Sequence, residues 1–62
     1  MTGINKLRVF RVMKGLTQED LGEKVGCNQS LVSKIERKRY VPDPSLKKAI
    51  ADVLGRDVDE VF

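Results

Sequence analysis

The sequence of 62 residues predicts an all-α fold built from five short helices. Its apolar residues recur at intervals of three and four positions, which is the spacing of one face of an α-helix. Glycine and proline residues divide these periodic stretches into short segments, as they do at helix ends and turns. No stretch shows the alternation of apolar and polar residues that a half-buried strand requires.

The first predicted helix covers residues 4–14 and is closed by Gly15. One side of its helical wheel carries the residues that are expected to face the core, namely Ile4, Leu7, Phe10 and Arg11. The opposite side carries a second apolar stripe, formed by Val9, Val12 and Met13. This stripe is either a contact surface for a partner or a face covered by the N-terminal residues.

Residues 17–36 are predicted to form two short helices joined by a tight turn. Thr17 and Asn28 are each suited to begin a helix as capping residues. Between them, Gly26 can adopt the left-handed conformation that ends a helix. Gly22 lacks a side chain at the point where the second of these helices must cross the first. Two helices joined in this way form a helix-turn-helix, a unit that typically binds duplex DNA.

Two more helices are predicted after a loop that contains two prolines. The fourth helix begins at Asp43-Pro44 or at Ser45 and is stopped by Gly55. A capping-box-like pair of acidic residues, Asp57 and Glu60, predicts a final short helix. The apolar residues of this last segment are expected to fold back onto the core: Val58, Val61 and Phe62.

Length and composition bound the class of protein. A chain of 62 residues allows one domain, residues 1–62, and domains of this size bury about 60% of their unfolded surface. One cysteine allows no internal disulfide, and without histidine the usual imidazole catalysts and zinc ligands are missing. No enzyme activity, metal site or cofactor is therefore expected. No stretch has the length of a signal peptide or a membrane span, so a cytoplasmic location and no membrane partner are expected.

Charge is distributed unevenly along the chain. Residues 1–48 carry eleven Lys or Arg residues against five Asp or Glu residues, a balance of +6, whereas residues 49–62 carry one against four, a balance of −3. A basic body with an acidic end is typical of a protein that meets a polyanion with one surface. Chance clustering on a solvated surface accounts for the same distribution, and charge alone does not decide between them.

Several motifs together point to a known family. They are LRxxR-x-x-KGLTQEDLGEKVG from Leu7, the Gln-Ser start of the third helix, SKIE at its end, PSLKKAIADVLG, and DVDEVF. With these motifs the chain resembles the Cro/phage-repressor type of helix-turn-helix domain, often called the Xre family, over residues 7–62. The resemblance implies a lambda-repressor-like DNA-binding fold whose helix-turn-helix, about residues 17–36, is formed by the second and third helices.

The resemblance also implies roles for individual residues. Gln18 would bind a DNA phosphate and steady the first residues of the third helix. Arg11 and Glu36 would form a partly buried ion pair between the first and third helices. The helical wheel agrees with this pair, because both residues lie at the edge of a core face where an unpaired charge is costly. Many members have glycine where this chain has Lys38, so we expect either a longer third helix or a strained turn.

The third helix carries the residues that are predicted to read bases. Its core side is formed by Val32 and Ile35. Opposite them lie Gln29, Ser30, Ser33 and Arg37, and Lys34 flanks this side. Glutamine can pair with N6 and N7 of adenine, lysine favours O6 and N7 of guanine, and serine is adaptable. We predict Gln29 as the main adenine reader, with Ser30 and Lys34 reading neighbouring bases. A polar solvated face is the alternative, and the docking geometry of the motif favours base readout.

A second set of residues is predicted to contact DNA phosphates, which position a domain without specifying sequence. These residues are Gln18, Asn28, Arg37, Lys38, Arg39 and Tyr40. A solvated turn is the alternative for the run of residues 37–39. The Tyr40 ring has an equal alternative, which is to pack against the fourth helix.

The function predicted from the sequence is regulation of transcription by binding to specific duplex DNA. One recognition helix reads few bases, so a repressor of this size is expected to bind a near-palindromic operator as a homodimer. The last helix, with Val58, Val61 and Phe62, is the first candidate for the dimer interface, and the stripe on the first helix is the second. No small-molecule ligand is implied. The alternative is a protein-interaction module of the same fold, an antitoxin or co-regulator that needs a protein partner.

Overall fold

Five helices account for most of the chain in the computed structural model, which describes residues 6–62. They are α1 (Lys6–Met13), α2 (Gln18–Val25), α3 (Gln29–Glu36), α4 (Pro44–Leu54) and α5 (Val58–Val61). No strand is present in residues 6–62, and the predicted all-α fold of five short helices is confirmed. Ile4, which was predicted to belong to the first helix, lies outside the described residues.

The start and the end of α2 follow from its flanking residues. Thr17 Oγ1 accepts a hydrogen bond from the backbone N–H of Asp20 at 3.0 Å, and the Asp20 carboxylate accepts one from the backbone N–H of Thr17 at 2.9 Å. This reciprocal pair satisfies two amides that the helix leaves open. The bond from the Thr17 N–H lowers the pKa of Asp20 because it stabilises the ionised carboxylate. Gly26 ends the helix in the left-handed conformation, with φ of 76°.

The helices α3 and α4 begin with side-chain caps of the same kind. Asn28 Oδ1 accepts a hydrogen bond from the Leu31 N–H at 2.9 Å, and Asp43 Oδ1 accepts one from the Leu46 N–H at 2.8 Å. Pro44 follows Asp43 as the first residue of α4, where its missing N–H leaves no bond unmade. Of the two starts predicted for α4, the structure has the one at Asp43-Pro44.

The core lies between the five helices and takes at least one apolar side chain from each of them. Its buried members are Leu7, Leu21, Val32, Ile35, Ile50, Ala51, Leu54 and Val61. Burying one valine, leucine or isoleucine side chain contributes roughly 1.5–3 kcal/mol to the stability of the fold. The core therefore holds α3 by Val32 and Ile35 and leaves the opposite side of that helix in solvent.

One residue of the predicted dimer interface belongs to this core. Val61 is 5% exposed, so it is not available to a partner, and its assignment to the interface is corrected. The reason is that α5 turns its Val61 side toward the core to complete it. Val58 is half-buried against the same core, and Phe62 is 42% exposed. Only Phe62 and the accessible part of Val58 remain of that patch.

Candidate nucleic-acid interface

The recognition side of α3 is set by what the helix buries. Val32, Ile35 and Glu36 face the interior. Gln29, Ser30 and Lys34 are exposed, whereas Ser33 is half-buried. Three of the four predicted base readers thus lie on the solvent side of the helix, and Ser33 lies at its margin.

The turn between α2 and α3 holds the two helices close together. The Cys27 N–H donates a hydrogen bond to the Gly22 carbonyl at 2.7 Å. A β-carbon at position 22 would lie 2.9 Å from the carbonyl carbon of Asn28, a distance that side-chain carbons do not tolerate. Gly22 therefore permits the close crossing predicted from the sequence, and the crossing fixes the direction in which α3 leaves the core.

Arg11 and Glu36 form a buried ion pair that joins α1 to the end of α3. The Arg11 Nε lies 2.6 Å from Glu36 Oε2, and the Arg11 Nη2 lies 3.4 Å from Oε1. Arg11 is 8% exposed and Glu36 is 7% exposed. The Arg11 Nη1 also donates to the Leu16 carbonyl at 2.7 Å, which ties the α1–α2 turn to the pair. The two residues named by the family resemblance are thus brought together.

Gln18 contacts the same carboxylate. Its Nε2 donates to Glu36 Oε1 at 3.1 Å, and its side chain is half-buried at the first position of α2. The resemblance implied that Gln18 would steady the first residues of α3. The bond instead reaches Glu36, the last residue of that helix.

A groove of about 670 Å³ opens beside these residues, between the end of α1, the start of α2 and α3. Polar and charged residues that line it are Arg8, Arg11, Thr17, Gln18, Gln29, Glu36 and Arg37. Three arginines against one glutamate leave the groove with an excess of positive charge, which favours an anion. Arg8 was missed from the sequence, although its position three residues before Arg11 places both on neighbouring parts of one helix face.

The chain after α3 carries the run of cationic residues. Arg37, Lys38, Arg39 and Tyr40 are all exposed. Lys38 has φ of 60°, a left-handed conformation that costs a residue other than glycine roughly 1–2 kcal/mol. Because α3 ends at Glu36, the expected departure at Lys38 takes the form of a strained turn and not of a longer helix.

The remaining predicted phosphate contact is Asn28. Its Oδ1 caps α3 through the Leu31 N–H, so a contact with an anion falls to its amide nitrogen. The side chain is exposed beside Gln29 at the start of the recognition helix. Gln18 and Arg37 line the groove together with Gln29, and Asn28 directly precedes Gln29 in the chain.

Comparison with known proteins agrees with this geometry. A family model described as helix-turn-helix matches residues 7–61. The chain belongs to the helix-turn-helix family. It is a transcriptional regulator with a helix-turn-helix DNA-binding domain, and the Xre/Cro-like resemblance is confirmed.

The relatives of this helix-turn-helix protein come from archaea, bacteria and phage. It is 42% identical to an uncharacterized HTH-type transcriptional regulator of Methanocaldococcus jannaschii, MJ0272, over 94% of this chain and 88% of the relative. It is 36% identical to the immunity repressor protein of Bacillus phage phi105, over 98% of this chain and 42% of that protein. The crystal structure of the clp gene regulator ClgR from Corynebacterium glutamicum matches with a TM-score of 0.84 and 32% identity, over 90% of this chain and 60% of that one.

The helices of this family member are short. None within residues 6–62 has the length and apolar character needed to cross a membrane.

Proposed function

We propose that this domain recognises a specific duplex DNA sequence through α3 and represses transcription by occupying a near-palindromic operator as a homodimer. The observation that carries the proposal is the exposed polar side of α3, which the core-facing residues Val32 and Ile35 turn toward solvent. That side adjoins the cationic groove, which is lined by Gln29 and by Arg37, and the exposed cationic turn of residues 37–40 follows the end of α3. A helix so flanked can enter a major groove while its neighbours bind the two phosphate backbones.

Base readout is assigned to Gln29, Ser30 and Lys34, with Ser33 in a marginal role. Gln29 lies at the first position of α3, and the first residues of a recognition helix are the ones that reach base edges in this motif. Its side-chain amide can donate to N7 and at the same time accept from N6 of adenine. Adenine is the base that offers this pair of groups in the major groove. Lys34 lies five residues later on the exposed side and would meet a neighbouring base pair.

Phosphate binding is assigned to Gln18, Asn28, Arg37, Lys38, Arg39 and Tyr40. Four of these residues are consecutive and exposed immediately after α3. Such contacts supply affinity that falls steeply with salt, by a slope of about 0.9 in log K per neutralised phosphate. They also fix the register of Gln29 on the duplex.

The repressor role and the homodimer rest on separate arguments. A relative covering nearly this whole chain is a phage immunity repressor. A single helix buries too little surface for useful specificity, and two copies related by a two-fold axis place their helices one turn of DNA apart, ~34–36 Å. Phe62 lies beside exposed Tyr40 and Val41 at a groove of about 320 Å³, which makes this end of the molecule the first surface to examine for the dimer.

The experiment that tests the function is selection of purified protein against a random duplex library at near-physiological salt. Enrichment of an inverted repeat with half-sites about one helical turn apart is the expected result. Salt-sensitive binding to all sequences without enrichment would reject autonomous operator recognition.

A second candidate function is favoured by one surface feature. Val9, Val12 and Met13 are exposed along α1, and Val12 and Met13 reach 57% and 66%. Large exposed apolar residues on one face mark contact sites for other proteins. An antitoxin or co-regulator of this fold would use this face for its partner and bind DNA specifically only in the complex. A stable dimer that selects a palindrome alone would exclude this candidate.

A further inference from the structure

The Glu36 carboxylate connects the three elements that would meet DNA. It accepts hydrogen bonds from Arg11 on α1 and from the side chain of Gln18 at the start of α2, and it belongs to the last turn of α3. Arg11 in turn donates to the Leu16 carbonyl in the turn before α2. One buried group thus sets the end of the recognition helix against the residue that is proposed to bind phosphate.

Arg11 supplies the positive charge that neutralises the buried carboxylate of Glu36. Its Nε and Nη2 reach the two carboxylate oxygens at 2.6 Å and 3.4 Å. Charge-assisted bonds from a guanidinium to both oxygens of a carboxylate are stronger than a bond from a neutral amide. The additional bond from Gln18 is therefore not needed to neutralise Glu36, and its consequence is on the Gln18 side.

That consequence is the orientation of the Gln18 amide. An ionised carboxylate only accepts hydrogen bonds, so the amide nitrogen of Gln18 must face Glu36 and cannot exchange places with the amide oxygen. The nitrogen carries two hydrogens in one plane. With one of them held by Glu36, the direction of the other is fixed as well. Gln18 lines the groove together with Gln29 and Arg37.

We infer that Glu36 is a positioning residue for DNA: it acts through Gln18, whose second N–H it directs at a backbone phosphate in the groove between α1 and α3. This inference rests on the proposed DNA-binding function. A glutamine side chain loses considerable rotamer freedom when it is ordered, and Glu36 orders it before DNA arrives, so less of the binding energy is lost to ordering. The positive charge of Arg11 offsets the negative charge that Glu36 would otherwise present to phosphate.

The test is a double-mutant cycle on binding to one duplex of fixed sequence. Glu36→Gln, Gln18→Ala and the double variant are measured by fluorescence anisotropy over a series of salt concentrations. We expect Glu36→Gln to weaken binding about tenfold, the effect of one charge-assisted hydrogen bond, although removal of a negative charge alone would strengthen it. In the Gln18→Ala background the same substitution should change affinity by less than about twofold, because coupled residues are not additive.

The salt dependence separates positioning from a merely structural role. Gln18 is neutral and releases no counterions, so both single variants should keep the wild-type slope of log K against log salt. A displaced recognition helix would bind fewer phosphates through its cationic residues and give a shallower slope. Glu23→Gln is the matched control, because it removes one negative charge from the exposed part of α2, and we expect it to bind as tightly as wild type or more tightly.

Each failure has its own signature. Wild-type protein that does not bind duplex DNA in a salt-dependent way would reject the proposed function itself. Salt-dependent binding with equal losses from Glu36→Gln in both backgrounds would reject the positioning role. If Glu36→Gln does not fold, Gln18→Asn replaces it: this variant leaves the Arg11–Glu36 pair in place and keeps an amide too short to bridge Glu36 and the groove. It should bind as weakly as Gln18→Ala, and wild-type affinity would overturn the inference.

Discussion

Gly22 and Asn28 approach so closely that a β-carbon on Gly22 would lie 2.9 Å from the Asn28 carbonyl carbon and 3.1 Å from its oxygen. Both atoms belong to backbone that begins α3, so neither can move without moving the recognition helix. The crossing of α2 and α3 is thus set by the absence of one methyl group.

Gly22→Ala should therefore destabilise the domain even though alanine favours helix. Overpacking costs roughly 1–3 kcal/mol, and the higher helix propensity of alanine returns about 0.8–1 kcal/mol, so we expect a net loss of about 1 kcal/mol in the free energy of unfolding. Urea denaturation followed by circular dichroism measures it. Glu23→Ala, at the neighbouring exposed position, is the control and should not be destabilised; equal stability of the two variants would contradict the close crossing.

Breaking the buried ion pair between Arg11 and Glu36 should lower the free energy of unfolding by more than breaking an exposed ion pair does. Arg11→Met leaves the Glu36 carboxylate buried without its guanidinium, which typically costs 3–5 kcal/mol. The double variant Arg11→Met with Glu36→Leu should recover part of this loss, because no charge then remains buried. Thermal and urea unfolding measure both. Lys48→Ala breaks the exposed pair between Lys48 and Asp52, whose atoms lie 3.7 Å apart, and should change stability by no more than about 0.5 kcal/mol.

Local chemistry explains why the helix ends were predictable. Thr17, Gly26, Asn28 and Gly55 each act on backbone groups within a few residues, so their spacing carries the information without any knowledge of the fold. The apolar periodicity likewise predicted the buried side of α3, because a helix has one geometry.

Features that depend on how helices meet were not predictable in the same way. The Gln18 side chain bonds the end of α3 and not its start, since the choice depends on where the Glu36 carboxylate lies in three dimensions. Arg8 joins the groove for the same reason. Val61 was assigned to an interface because the sequence pattern does not distinguish an apolar residue that packs in the core from one that contacts a partner.

The capping box of α2 should make the free energy of unfolding depend on pH in the acidic range. The Asp20 pKa is lowered mainly by the hydrogen bond from the Thr17 N–H, so the folded state binds the proton less readily than the unfolded chain, whose aspartate pKa is about 3.9. The carboxylate therefore stabilises the fold above that pH, and the contribution is lost as pH falls through the lower folded pKa. The difference in stability between wild type and Asp20→Asn should shrink as the pH is lowered from about 6 to well below the aspartate pKa of the unfolded chain. Thr17→Ser keeps both capping bonds and should retain the wild-type dependence, and a difference that is the same at all pH values would contradict the assignment.

Gln29→Ala should relax recognition at one base pair more than it weakens DNA binding in general. Loss of a bidentate contact to adenine costs about 1–3 kcal/mol of discrimination, while the phosphate contacts that supply most non-specific affinity are kept. The measurement compares the affinity of each protein for the selected site and for the same site changed at the adenine. Ser45→Ala, at an exposed position of α4, serves as a control. Undiminished discrimination by Gln29→Ala would remove this residue from base readout.

At Lys38, the effect of backbone strain on stability can be measured separately from the effect of charge on DNA binding. The strain at its φ of 60° should lower the stability of the fold by roughly 1–2 kcal/mol relative to glycine. Glycine cancels part of this gain because it loses more conformational entropy on folding. Lys38→Gly should thus raise the free energy of unfolding by about 0.5–1 kcal/mol. Because this variant neutralises one phosphate fewer, its slope of log K against log salt should be shallower by about 0.9. Lys38→Ala removes the charge but keeps the strain, so its slope should change equally while its stability does not rise. If Lys38→Gly is more stable but keeps the wild-type slope, Lys38 does not contact a phosphate.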